Sequence, residues 1–413
     1  AKVIMMTDIV IPRRLVLWFI LFLSIVTYGQ EDSLSAPTDS LLPAVPWPVC
    51  VQQRLDGLME SGMFERSQLG LMVYDLTADS VIFRRGERQL MRPASTMKLF
   101  TAVAAIERLG GSYRFSTDLR YDGEVTDATL TGHLYCIGGF DPLFNIDDMR
   151  AFVESVKNMG IDTIRGAIVA DKSMKDTLRL GEGWCWDDDN PILSPLLISR
   201  RDVFVKRFID ELQQAGITVE ATEEEGVTPC ETFPLCTRFH SIDQVLMRMM
   251  KQSDNLFAES MFYHLALSNG HRPATAEMAR RAIRQLIKRC GGTSSYCRVA
   301  DGSGLSLYNY VTAEQEVMLL RYAYKQSNIF LHLQPSLPVA GEDGTLRSRM
   351  KGGFANGNVR AKTGTLTAIS SLAGYLTAPN GHVLCFSIIN QGLSSEREGR
   401  LFQDQLCDAL CQP

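Results

Sequence analysis

The sequence predicts an α+β fold, in which an antiparallel sheet joining both ends of the chain packs on a block of helices and a β-rich domain is inserted between the two halves. Three observations carry this expectation. A short hairpin followed by an almost wholly apolar helix comes first. The stretch from about Ser112 to Cys236 then takes on a β-like texture, and helical patterns return before the chain closes on a meander. The chain has 413 residues, 45% of them hydrophobic and 22% charged, a globular composition too long for one core, which stops growing at about 250 to 300 residues. The expected organisation is residues 1–29 as a signal peptide, 30–112 as the first part of the main domain with its linker, 113–236 as the inserted accessory domain, and 237–413 as the second part.

Arg13 and Arg14 precede an apolar run from Leu15 to Val26, and Thr27, Tyr28 and Gly29 follow it before the polar Gln30 and Glu31. This is the layout of an export signal. The run falls short of the roughly 20 residues that span a bilayer, so the expected product is an exported, periplasmic or otherwise extracytoplasmic enzyme with no stable membrane span after cleavage. An uncleaved N-terminal anchor is the alternative. Residues 30–48, rich in Pro, Ser and Asp, read as a linker.

Leu55 to Met63 suits a helix. Gly70 to Leu76 and Val81 to Arg84 suit two strands joined by Thr77, Ala78, Asp79 and Ser80, a turn-forming set. Ser95 to Leu109 follows Pro93 and is apolar all round after its first turn, so it must lie buried; Gly110 and Gly111 end it. In the insert, Thr129 to Ile137 and Ile164 to Ala170 read as strands. Helices are expected at Ile242 to Gln252, Asn255 to Leu267, Ala276 to Arg289 and Ala313 to Tyr324. Strands follow at Val359 to Leu366, Ile369 to Thr377 and Val383 to Asn390, the last two joined across Pro379, Asn380 and Gly381, and Glu396 to Leu410 closes as a helix.

The net charge is -5, with basic and acidic residues interspersed rather than gathered in a basic stripe, which argues against nucleic acid as a partner. Ten cysteines in an exported chain allow disulfides, and Cys230 with Cys236 and Cys290 with Cys297 close short loops, but spacing does not fix pairing. Small buried hydrophobes are the other reading of these cysteines. Neither Cys-x-x-Cys nor His-Glu-x-x-His occurs, so no metal or other cofactor is expected.

Chemistry gathers in three short motifs: Ser95-Thr96-Met97-Lys98, Ser253-Asp254-Asn255 and Lys362-Thr363-Gly364. Residues three apart on a helix share a face, so Lys98 can set its amine beside the Ser95 hydroxyl. Two repulsions are expected to favour the neutral amine: the positive end of the helix dipole and a second cation, Lys362, across the cleft. The Ser95 N–H at the helix start suits an oxyanion. Ser253 offers a hydroxyl for proton relay and Asn255 an amide for a substrate peptide group, while Asp254 points away. On an edge strand, the bare Gly364 is expected to let a substrate backbone approach, with Thr363 and Thr365 bonding a terminal carboxylate.

A Ser-x-x-Lys match arises about twice by chance in a chain of this length, and Lys-Thr-Gly about once in ten such chains. Ser348-Arg349-Met350-Lys351 is such a chance match: glycines follow it and no apolar helix continues from it. The order and context of the three motifs carry the argument.

At these residues the chain resembles the penicillin-recognising serine enzymes, which include class A β-lactamases and penicillin-binding proteins. Segments 183–188 (Gly-Trp-Cys-Trp-Asp-Asp), 301–306 (Asp-Gly-Ser-Gly-Leu-Ser) and 337–346 (Leu-Pro-Val-Ala-Gly-Glu-Asp-Gly-Thr-Leu) resemble the class C low-molecular-mass penicillin-binding proteins, D-alanyl-D-alanine carboxypeptidases/endopeptidases. The likeness covers nearly all of the mature chain and implies a penicillin-binding/β-lactamase-like domain with an accessory insertion after the first motif. It also implies that Ser95 attacks the D-Ala-D-Ala amide of peptidoglycan stem peptides or cross-links, and that β-lactams acylate the same serine. Gly139-Phe140-Asp141-Pro142 resembles a Gly-Asp-Pro segment of the family in which Asp141 reaches a substrate amine, although Phe140 stands where a glycine is expected. The alternatives are an exported β-lactamase or esterase, or a non-catalytic penicillin-binding wall protein. No Glu-x-x-x-Asn pattern between Ser253 and Lys362 supports the β-lactamase.

Overall fold

The computed structural model describes residues 46–187, 190–268, 270–292 and 296–413. The expected signal peptide and nearly all of the expected linker lie outside the described residues. In chain order the elements are α1 (Val49–Leu58), β1 (Gln68–Asp75), β2 (Ser80–Arg85) and α2 (Met97–Leu109). Then come β3 (Arg114–Tyr121), β4 (Glu124–Thr126), β5 (Thr129–Gly138), α3 (Ile146–Asn158), β6 (Thr163–Asp171), α4 (Phe204–Gln214), β7 (Thr218–Val219), β8 (Thr222–Glu225) and β9 (Phe233–Ser241). The second half holds α5 (Ile242–Lys251), α6 (Asn255–Leu267), α7 (Ala276–Arg289), α8 (Ala313–Lys325), α9 (Ser327–Ser336), β10 (Arg360–Leu366), β11 (Ile369–Thr377), β12 (Val383–Gln391) and α10 (Glu396–Cys411).

Two sheets organise these elements. The first runs β10-β11-β12-β1-β2, antiparallel throughout, so the two ends of the chain meet where β1 pairs with β12. One face carries the cluster of Leu71, Val73, Leu372, Phe386, Ile388, Phe402 and Leu406, with α1 and α10 over it. The other face packs on the helical block. At the centre of that block lies α2, whose residues Met97 to Ile106 are all buried. Alanines at 102, 104 and 105 bring α6 and α7 close to it, and Gly110, at φ +84, ends it.

The second sheet has the order β7-β6-β5-β3-β9, with β4 on β5 and β8 on β6. It is β-rich as expected, yet it also contains α3 and α4. Parallel strands require a crossover, and β5–β6 and β6–β7 are both parallel; α3 and α4 supply the two crossings. Phe152, Val156, Phe208 and Leu212 pack them onto the sheet.

Two further differences have local causes. The first helix spans Val49–Leu58 rather than Leu55–Met63, because it starts directly after Pro48 and Ser61 caps a separate short turn at Gly62–Glu65 by accepting the Met63 N–H. Helix α9 was not expected from its sequence, which carries Pro335 within its last turn. No disulfide joins the described cysteines, and Cys136, Cys385, Cys407 and Cys411 are buried as thiols. No helix among the described residues is long and apolar enough to cross a membrane.

Candidate active site

The segment Pro93-Ala94-Ser95-Thr96 enters α2 through a single tight turn, Ala94–Thr96. Ala94 holds φ at +50, a left-handed conformation that is costly for a residue with a Cβ and tends to occur at functional sites. Four side chains fix the turn from beneath. Thr96 Oγ1 bonds the Pro93 carbonyl at 2.8 Å and Glu316 Oε1 at 2.5 Å, Ser387 donates to the other Glu316 oxygen at 2.7 Å, and Ser371 donates to the Pro93 carbonyl at 2.6 Å. Burial raises the Glu316 pKa to about 7, against the two hydroxyls that lower it.

Lys98, one turn on, is completely buried. Its Nζ lies 2.9 Å from Ser95 Oγ, 2.7 Å from Asn255 Oδ1 and 2.8 Å from the Ser303 carbonyl oxygen. Its pKa is lowered to about 8, and the cause differs from the one expected. Burial is the largest effect, while the charges of Asp301, Glu259 and Asp254 pull the other way. The repulsion from Lys98 is felt at Lys362, which burial first and Lys98 second hold well below the usual lysine value. Both amines are therefore disposed to lose their protons.

The other motifs come to the same place. Ser253 sits at φ +58 in the short connection between α5 and α6, and its Oγ accepts from Lys362 Nζ at 2.9 Å. Asn255 opens α6. Asp254 between them turns away, as expected, and caps α6 by accepting the Leu256 N–H at 3.1 Å. On β10, Lys362 is buried, Thr365 is exposed, and Thr363 Oγ1 donates to Thr345 Oγ1 at 2.8 Å. Two hydrogen-bonded groups thus converge, Lys98 with Ser95 and Asn255 and Lys362 with Ser253, and the two lysines are close enough for the charge of Lys98 to act on Lys362.

Gly364 requires a correction. A Cβ built there would lie 2.1 Å from Ser371 Oγ, 2.8 Å from the Pro93 carbonyl oxygen and 2.9 Å from the Ser95 nitrogen. The absent side chain admits the Ser95 segment itself against β10, rather than a substrate backbone. Asp141 requires another. It is 2% exposed, with its carboxylate bonded to His240 Nδ1 at 2.7 Å and to the Leu143 N–H at 3.0 Å; it is sealed in the insert's base and offers no open surface to a substrate amine. Its neighbour Phe140 takes φ +51, the conformation a glycine would favour, and is held there by its N–H on the Pro195 carbonyl and by Ser260 on its own carbonyl. Ser348 and Lys351 of the chance match lie exposed in turns.

Other residues of the site lie in segments that the resemblance singled out without giving them a role, and Glu259 was not singled out at all. The loop Asp301–Ser306 forms the bed on which Lys98 rests. Glu259, one helical turn past Asn255, accepts the Gly302 and Ser303 N–H groups, and Asp301 accepts those of Gly304 and Ser306 together with Trp184 Nε1 at 2.8 Å. Burial lifts Glu259 to about 8, with the Asp301 charge adding to it. The spacing Asn255–Glu259, one turn apart on a helix that is buried from Leu256 to Ala266, was the available signal. Thr345 lacked one. Gly304 is the tightest point: at φ +80, its missing Cβ would lie 1.8 Å from the Ala94 carbonyl oxygen. Gly304→Ala is therefore expected to push this loop off the Ser95 turn and cost about 2 kcal/mol or more, measurable as a fall in the denaturation midpoint along with slower acylation of Ser95.

The profile of the D-Ala-D-Ala carboxypeptidase 3 (S13) family matches residues 51–197 and 198–412. The D-alanyl-D-alanine carboxypeptidase of Actinomadura sp. (strain R39) is 27% identical over 455 residues, covering 83% of this chain and 81% of the relative. The D-alanyl-D-alanine carboxypeptidase DacB of Haemophilus influenzae is 25% identical over 418 residues, covering 80% and 87%. The crystal structure of penicillin binding protein 4 (dacB) from Haemophilus influenzae superposes with a TM-score of 0.77 at 24% identity, covering 86% of this chain and 97% of that one.

Proposed function

The chain belongs to the D-Ala-D-Ala carboxypeptidase 3 (S13) family, and from that premise we propose that it is a serine D-Ala-D-Ala carboxypeptidase acting on peptidoglycan stem peptides through an acyl-enzyme at Ser95. The observation that carries this reading is the 2.9 Å contact between Lys98 Nζ and Ser95 Oγ, in a buried setting that brings the amine's pKa to about 8. A neutral Lys98 takes the Ser95 proton as Oγ attacks the carbonyl carbon of the D-Ala-D-Ala amide. The oxyanion develops beside the Ser95 N–H, at the start of α2.

The tetrahedral intermediate collapses when the departing amine nitrogen receives a proton, leaving the peptide acylated on Ser95 and releasing D-alanine. Ser253, bonded to Lys362, is placed to relay that proton. Water then hydrolyses the ester. A terminal carboxylate bound near Thr363 and Thr365 favours the protonated form of Lys362, because an opposite charge offsets the burial that depresses it. A cross-linked peptide presents the same amide with a longer leaving amine, so endopeptidase action uses the same groups. A β-lactam presents a strained amide with a nearby carboxylate and acylates the same oxygen. The substrate places the enzyme outside the cytoplasm, and residues 113–236 form an accessory insertion in the same reading.

The β-lactamase alternative needs a glutamate that drives deacylation. Glu259 is the carboxyl beside Lys98, but it is spent on backbone N–H groups of the 302–303 loop. Incubation with a defined pentapeptide ending in D-Ala-D-Ala and with a cross-linked muropeptide dimer tests the proposal. Release of one D-alanine per pentapeptide is expected; an enzyme that turns over penicillin rapidly and leaves both peptides intact overturns it.

A further inference from the structure

The long connection between β6 and α4 contains a two-residue hairpin. Ile198 and Arg201 exchange both backbone hydrogen bonds, at 3.0 and 2.9 Å, and the tip residues Ser199 and Arg200 hold φ at +46 and +71. Such turns need positive φ at both central positions and ordinarily use Asn-Gly or Gly-Gly. A serine and an arginine adopt it here against the preference of any residue with a Cβ, a form of strain that collects where function requires a fixed geometry.

That tip aims the Arg200 guanidinium at Asp254 Oδ2, with which it forms an ion pair, and over the Phe257 ring at 5.9 Å. The Asp254 side chain is only 8% exposed and is also bonded to Arg248 Nε at 3.0 Å, while its other oxygen caps α6. On either side of Asp254 stand Ser253, which holds Lys362, and Asn255, which holds Lys98.

We propose that Arg200 is a positioning residue for acyl transfer: the inserted region delivers it to clamp Asp254, and through Asp254 it sets the Ser253 hydroxyl and the Asn255 amide against the two lysines. The inference rests on the reading of Ser95 as the acylated residue. It gives the insert a part in the chemistry without contact to the substrate. An electrostatic effect accompanies the clamp. Lys98 faces Glu259 and Asp254 from α6, Asp301 from the loop and Lys362 from β10. The guanidinium of Arg200 offsets the Asp254 charge that favours protonated Lys98, so its removal moves Lys98 toward the inactive ammonium form.

The test uses the full chain and follows acylation by fluorescent penicillin and D-alanine release against pH. Arg200→Ala is expected to slow acylation about tenfold or more, chiefly in kcat rather than KM, with the rising limb of the pH profile displaced to higher pH. Arg200→Lys should restore the position of the limb but only part of the rate, since an ammonium lacks the planar fork. Arg200→Gly removes the same guanidinium while relaxing the positive φ, and so separates loss of the clamp from loss of folding. Wild-type rate and limb in both the Ala and Gly variants would overturn the proposal. So would a rate loss with an unmoved limb and no recovery in Arg200→Lys, which is the signature of a merely structural arginine. Failure of the wild-type protein to label at Ser95 would instead sink the proposed function.

Discussion

Ser95→Ala is expected to remove the covalent penicillin adduct completely and to lower D-alanine release by about 10⁴-fold or more, the scale of losing a nucleophile from a concerted constellation. The magnitude follows from the geometry. The adjacent hydroxyl in sequence, Thr96, is buried and committed to the Pro93 carbonyl and Glu316, and the Ser253 hydroxyl is bonded to Lys362 rather than to the base Lys98, so neither is set to replace Ser95. The fold should survive, because Lys98 loses one of three partners and keeps Asn255 and Ser303. A single hydrogen bond is worth about 1 kcal/mol net, and the denaturation midpoint should stay near that of the wild type. Mass spectrometry of the wild-type protein after incubation with a fluorescent penicillin should find one adduct, on the peptide that contains Ser95. An adduct elsewhere, or one that persists in Ser95→Ala, refutes the assignment.

The elements that bound the site were legible because local signals and burial agreed. Helices α6 and α7 fall on their expected residues, since each has a polar cap, Asp254 or Thr275, directly before an apolar pattern. The strand pairings β1–β2 and β11–β12 followed from the hairpin and turn signals. What stayed hidden depends on contacts distant in sequence. Nothing local to Gly364 says that its bare face meets Ser95 rather than a substrate. Asp141 carries a turn signal whichever way its carboxylate points, and only the fold supplies His240, on β9, to bury it. The cause of the Lys98 shift was misjudged for the same reason: dipoles and charged neighbours are read from a motif, whereas complete burial is a property of the finished core. Helices α3 and α4 were lost among the charged and polar residues of both signs that cover their solvent faces, although Phe152 and Val156, and Phe208 and Leu212, keep a helical spacing.

Lys98→Met tests function and stability at once, with opposite signs. Methionine keeps most of the buried stem but has no base, so acylation should fall about 10³-fold, within the range for losing a general base. In the wild type the rate should rise about tenfold per pH unit below the Lys98 pKa of about 8 and level off above it, because only the neutral amine accepts the Ser95 proton. Stability follows the reverse logic. A lysine whose pKa falls from 10.5 in the unfolded chain to about 8 in the native state binds its proton less tightly when folded. The unfolded chain then carries more protons between these values, and native stability rises with pH across that window. Below pH 8 the full penalty applies, about 3 kcal/mol at 1.36 kcal/mol per unit. Replacing Lys98 removes it but strands Asn255 Oδ1 and the Ser303 carbonyl oxygen, each worth about 1 kcal/mol or more when buried. Lys98→Met should therefore be as stable as the wild type or slightly more so at pH 7, and it should lose the wild-type gain in stability between pH 8 and 10.5. Lys362 titrates in both proteins, but in the variant it loses the Lys98 repulsion that helps hold it down, so the difference between their denaturation midpoints across pH reports Lys98 together with its coupling to Lys362. Equal slopes in that window, or full activity in the variant, would show that the proton resides elsewhere and that Ser95 is activated by another group.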